Sequence, residues 1–67
     1  MQLLANTTYN IKHARWGEFQ AQIVEKRGDA VTVKITRGTV CFVGGSMRGP
    51  GRFVTMHEQN IESAVEV

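Results

Sequence analysis

The chain has a single cysteine, a single proline and no long apolar run. With Cys41 alone, no intramolecular disulfide can form, although small scaffolds commonly rely on such staples. A membrane helix needs about 20 consecutive apolar residues, and no stretch approaches that length. The start, Met1-Gln2-Leu3-Leu4-Ala5-Asn6, lacks the basic region and the apolar length of a secretory signal. These absences lead to the expectation of a soluble protein in a reducing cytoplasm. In that setting Arg27-Gly28-Asp29 reads as a hairpin turn, not as a cell-adhesion tripeptide. Cys41 lies in the apolar run Val40-Cys41-Phe42-Val43, where a buried, inert thiol is expected.

Chemistry-bearing clusters are also scarce. His13, His57 and Cys41 include no short-spaced pair of the kind zinc sites use, so no metal is expected. Both histidines are expected to be exposed or half-buried. No carboxylate pair falls in apolar surroundings, and neither Ser46 nor Ser63 has a base beside it. The expectation is a protein that is not an enzyme, with no catalytic residues and no cofactor.

What the chain does have is alternation. Phe19, Ala21 and Ile23 point one way, and Gln20 and Gln22 the other. Val31, Val33 and Ile35 share one face, and Thr32, Lys34 and Thr36 the opposite one. A period of two marks half-buried strands. The pattern predicts strands over Tyr9–Trp16, Glu18–Lys26, Ala30–Thr36, Thr39–Val43, Arg52–His57 and Ser63–Val67, with a single 3₁₀ turn at Glu58–Asn60. Thr39–Val43 is expected to pair with Arg52–His57. Residues 1–8 form a lead-in, with Leu3 and Leu4 tucked against the body, and residues 9–67 form one domain. A chain of 67 residues buries only roughly 60% of the surface its unfolded form exposes, so the core is thin.

This order of elements resembles the SH3-like small barrels. Trp16-Gly17 precedes a strand that ends in Ile23-Val24, and a glycine turn leads to Val31-Thr32-Val33. Val54-Thr55-Met56-His57 then runs into Glu58-Gln59-Asn60-Ile61, as a one-turn helix before a closing strand. The resemblance covers residues 9–67 and implies an all-β, five- to six-stranded antiparallel barrel. Sm-like barrels share the strand order but carry an N-terminal helix that Met1–Thr8 is too short to supply. Trp16-Gly17 and Gln22-Ile23-Val24 also resemble a strand of the plasmid-borne type II dihydrofolate reductases. Their active-site Val-Gln-Ile-Tyr segment would fall near Phe53-Val54-Thr55-Met56, which has neither the Gln nor the Tyr.

Charge is unevenly spread. Residues 1–57 carry all eight Lys and Arg against Glu18, Glu25 and Asp29, a balance of +5. The last ten residues carry Glu58, Glu62 and Glu66 and no base, a balance of −3. A basic body favours polyanionic partners, and the acidic tail is expected to point away from them or to repel them. Gly44-Gly45-Ser46-Met47-Arg48-Gly49-Pro50-Gly51 is expected as a Gly-rich loop at 44–51 whose free N–H groups, with Arg48 and Arg52, cradle phosphate. It lacks the Gly-Lys-Ser/Thr ending of a Walker A loop. Lys12, Arg15, Lys34 and Arg37 make a candidate basic strip, and Trp16 and Tyr9 are the aromatics expected to be exposed. The leading expectation is a nucleic-acid-binding module using Lys12, Arg15, Trp16, Lys34, Arg37, Arg48 and Arg52. The alternative is a protein-interaction module using Met47, Pro50 and Phe53. Either suits a bacterial, phage or plasmid accessory protein, and an edge at Ala64–Val67 leaves room for a homo-oligomer.

Overall fold

The computed structural model describes residues 3–67. The fold is all-β, and its strands are β1 (Thr8–His13), β2 (Gly17–Arg27), β3 (Ala30–Arg37), β4 (Val40–Cys41), β5 (Met47–Arg48), β6 (Phe53–His57) and β7 (Ile61–Glu66). A 3₁₀ turn, η1 (Glu58–Asn60), links β6 to β7 as the sequence predicts. Five strands form one antiparallel sheet in the order β6-β3-β2-β1-β7, and β4 and β5 form a separate ribbon.

Alternation explains the core. Tyr9, Ile11 and His13 of β1 face inward with Phe19, Ala21 and Ile23 of β2 and Val31, Val33 and Ile35 of β3. Val54, Met56 and Ile61 complete the layer, Val40 of the ribbon is fully buried, and Leu3 of the lead-in caps it. Leu4, expected to tuck in beside Leu3, is exposed.

The sheet is curled. Its two edges, β6 and β7, are separated in sequence by only the three residues of η1. A flat five-stranded sheet holds its edges roughly 19 Å apart, whereas a 3₁₀ turn of this length advances only about 8 Å. The edges therefore approach each other at the η1 end. Register shifts after Lys12, Gln20 and Ile23 supply the bending. Asn6 N–H donates to the Ile23 carbonyl, and Ile23 N–H to that of Thr7, so the lead-in is tied to β2 at one bulge. Among the described residues no pairing joins β6 to β7.

Several strand expectations need correction. The first strand ends at His13, and Ala14 to Trp16 form a turn. The fourth strand is only Val40–Cys41 and pairs with Met47–Arg48, while β6 pairs with β3 instead. The Gly-rich stretch is thus two tight turns bracketing β5. In the first, Gly45 N–H donates to the Phe42 carbonyl, at 2.9 Å. The second runs from Gly49 to Arg52 and has the arrangement of a type II turn. Pro50 presets one φ, Gly51 takes φ +89°, and Arg52 N–H donates to the Gly49 carbonyl. No helix among the described residues is long and apolar enough to cross a membrane.

Candidate functional site

A cleft of about 340 Å³ lies against β6. His13, Arg15 and Trp16 line it from the end of β1 and the following turn. Cys41, Phe42 and Val43 line it from the ribbon, Thr55, Met56 and His57 from β6, and Asn60 from η1.

His13 organises this cleft. Its Nδ1 accepts the backbone N–H groups of Arg15 at 3.1 Å and Trp16 at 3.3 Å. The turn Ala14–Trp16 therefore closes on the imidazole, and the proton of the neutral ring sits on Nε2. That atom is buried and has no partner among the described residues. Burial lowers the His13 pKa from its ordinary 6.5, the nearby Arg15 lowers it further, and Glu62 opposes both. Burial and Arg15 both favour the neutral ring in the folded state.

Trp16 stacks on that ring, with centroids 3.9 Å apart and planes within 10°. Phe42 meets the indole edge-on at 5.3 Å and 81°, and Phe19 lies behind at 6.5 Å. Trp16 is half-buried, fixed on one side by His13 and Phe19 and open to the cleft. The Arg48 guanidinium carbon sits 5.3 Å above the Phe42 ring, a cation–π contact that holds a positive charge near the cleft.

The other expected site residues divide into groups. Lys34 on β3 lies opposite Phe53 of β6, and Arg52 immediately precedes that strand. Phe53, Thr55 and His57 share the outer face of β6, with Lys34 beside Phe53, and Thr55 and His57 reach the cleft that Arg15 also lines. The run is roughly 13 Å long. Lys12 lies elsewhere, on β1, 3.8 Å from Glu62, and Arg37 sits opposite Gln20. Glu18, Gln20 and Gln22 of β2 stand between Lys12 and Lys34, so the continuous strip expected of them does not form. The phosphate cradle is also reduced, since the Gly45 and Gly51 N–H groups already donate to the Phe42 and Ile35 carbonyls.

Ion pairs sort the cations. Lys26 meets Glu58 at 2.6 Å, Arg27 meets Glu25 at 3.2 Å, and Lys12 has Glu62. Among the described residues Arg15, Lys34, Arg37, Arg48 and Arg52 have no carboxylate partner. Two carboxylates of the acidic tail, Glu58 and Glu62, fold back onto lysines of the body.

Besides Leu4, three side chains lie where the sequence reading does not put them. Tyr9 is buried, because it shares the inner face with Ile11, and its hydroxyl accepts the Leu4 N–H at 3.0 Å. His13 is 3% exposed, for the same reason of register. Cys41 is exposed, because Val40 takes the inner position and the next residue must point out. The exposed aromatic is Phe53, at 58%, and Met47 and Pro50 are exposed beside it in sequence. His13, Cys41 and His57 do reach one cleft, but among the described residues no group forms that could hold a metal ion. The sequence signal for a His13-built turn was present in the alternation Tyr9, Ile11, His13 followed by Trp16-Gly17. Comparison with known proteins finds no matching family model, no matching curated protein and no matching solved structure.

Proposed function

We propose that this chain is an SH3-like barrel that binds single-stranded nucleic acid along β6. The barrel reading is supported by the linear strand order and by the single 3₁₀ turn linking the two edges of the curled sheet. The functional reading is carried by one observation. Four of the five cations without a carboxylate partner, Arg15, Lys34, Arg48 and Arg52, flank a run that also holds Phe53 and opens on Trp16. Phosphates would lie against those cations, one base would stack on Phe53, and another would enter the cleft against Trp16. A cleft-held aromatic is reached by a splayed base, not by one stacked in a duplex, which favours single strands. Backbone contacts dominate, so sequence preference is weak.

Trp16 is the only tryptophan, so its fluorescence reports one site. Titration with a short single-stranded oligonucleotide at low salt should give a saturable change that weakens steeply as salt rises. Arg15→Ala combined with Arg52→Ala should weaken binding and flatten the salt dependence, and a duplex should bind less well. No change at low salt, matched by no gel shift, retires this reading. The protein-interaction reading rests on the exposure of Met47 and Phe53, at 62% and 58%. It predicts that Met47→Ala is the damaging substitution and that salt matters little.

A further inference from the structure

The sheet leaves two unpaired edges, and they differ in charge. Among the described residues β6 pairs only with β3, and β7 only with β1. The β7 edge carries Glu62 and Glu66 with no base in the strand. The surroundings of β6 carry Arg52, Lys34 and Arg15, none of which has a carboxylate partner among the described residues. Unpaired strand edges are templates for another strand. Pairing β7 with β7 would set glutamates against glutamates, and pairing β6 with β6 would set cations against cations. Only β6 with β7 brings opposite charges together.

We propose that β7 of one copy adds to the β6 edge of a second copy, head to tail. The hydrogen-bonding pattern says which groups are available. Val67 N–H donates to the Thr8 carbonyl, so by antiparallel alternation the Ala64 and Glu66 N–H groups face the free side of β7. Glu58 N–H donates to the Asp29 carbonyl and Ile35 N–H to that of Arg52, which turns the N–H groups of Phe53, Thr55 and His57 to the free side of β6. Both edges also present an exposed apolar side chain on the outer face, Val65 at 63% and Phe53 at 58%, and added pairing brings these faces into one surface. Because the two patches differ, the contact is heterologous and produces rings or open chains, not simple two-fold dimers. This inference does not rest on the nucleic-acid reading.

The test is the solution mass of nucleic-acid-free protein by sedimentation across a wide concentration range. Mass should climb above the monomer with concentration and fall back as salt is added. Ala64→Pro removes a donor from the free side of β7 only, and Thr55→Pro does the same for β6. Each variant alone should stay monomeric. Mixed in equal amounts they retain one good edge each, and should form a dimer and nothing larger. Circular dichroism checks that each proline variant is folded. If Ala64→Pro is not, the Glu62→Lys, Glu66→Lys double variant replaces it on the β7 side; if Thr55→Pro is not, the Lys34→Glu, Arg52→Glu double variant replaces it on the β6 side, and each should also lose association. A wild-type chain that stays monomeric at every concentration overturns the proposal. So does association that persists in the folded edge variants, or a mixture that stays monomeric.

Discussion

Protonating His13 disrupts the site in two ways. It places a charge on a buried ring, and it removes Nδ1 as the acceptor of the Arg15 and Trp16 N–H groups. The sign follows from the direction of the shift. The folded pKa lies below the ordinary 6.5, so at intermediate pH the unfolded chain binds more protons than the folded one. Stability is therefore full above about pH 6.5, falls as pH drops below that value, and levels off once the folded ring itself titrates. Thermal melts between pH 8 and 5 should show this decline, with Trp16 emission shifting before or with the loss of sheet as the indole leaves its stack. His13→Leu should remove most of the pH dependence in that window while lowering stability by about 1–3 kcal/mol, because two backbone donors lose their acceptor. A slope that survives in His13→Leu would assign the dependence to other groups. At this scale the sequence was legible where it followed the pleat. Tyr9, Ile11 and His13 could be placed on one face, and Val40 and Cys41 on opposite faces, from alternation alone. Where residue type and register conflict, register wins: Tyr9 and His13 turn inward and Cys41 turns out.

At the level of elements, the long strands were legible and the short ones were not. β2 and β3 carry their own signal, in Phe19-x-Ala21-x-Ile23 and Val31-x-Val33-x-Ile35. The β4–β5 ribbon has two residues on each side, too few for a period, and its pairing is decided by turns. Glycine conformation therefore carries information that hydrophobic pattern lacks, and Gly38 at the β3–β4 junction is the clearest case. It has φ +97°, and a Cβ there would stand 3.1 Å from Phe19 Cβ and 3.3 Å from its Cα. Gly28, in the β2–β3 turn, also has a positive φ, +62°, but a Cβ there meets nothing within 4 Å. Gly38→Ala thus combines backbone strain with collision against a core strand that has little room to shift. It should cost about 2–4 kcal/mol, and lower Tm by on the order of 10–20 °C in a domain this small. Gly28→Ala carries the conformational cost alone, about 1 kcal/mol. Equal melting temperatures for the two variants would mean that the contact with Phe19 relaxes freely.

For the whole molecule, the two proposals meet on one strand. Thr55 and His57 line the cleft, and the free N–H groups of the same residues face the edge where a second copy would add. A strand laid there crowds the cleft lined by Thr55, His57 and Trp16, so an oligonucleotide and a neighbouring copy compete for it. Competing equilibria are linked, and each must weaken the other by the same factor. Adding a short single-stranded oligonucleotide to self-associated protein should therefore lower the mass per particle as the Trp16 signal saturates. Oligonucleotide affinity should fall as protein concentration rises. Ala64→Pro discriminates most sharply, because it leaves β6, Trp16 and every unpaired cation intact while removing the competitor. It should bind the oligonucleotide at least as tightly as wild type at low protein concentration, and more tightly at high concentration. Thr55→Pro, altered on the shared strand itself, should lose in both assays. If Ala64→Pro instead binds less well than wild type, the copies cooperate on the strand and the shared edge is not where they meet.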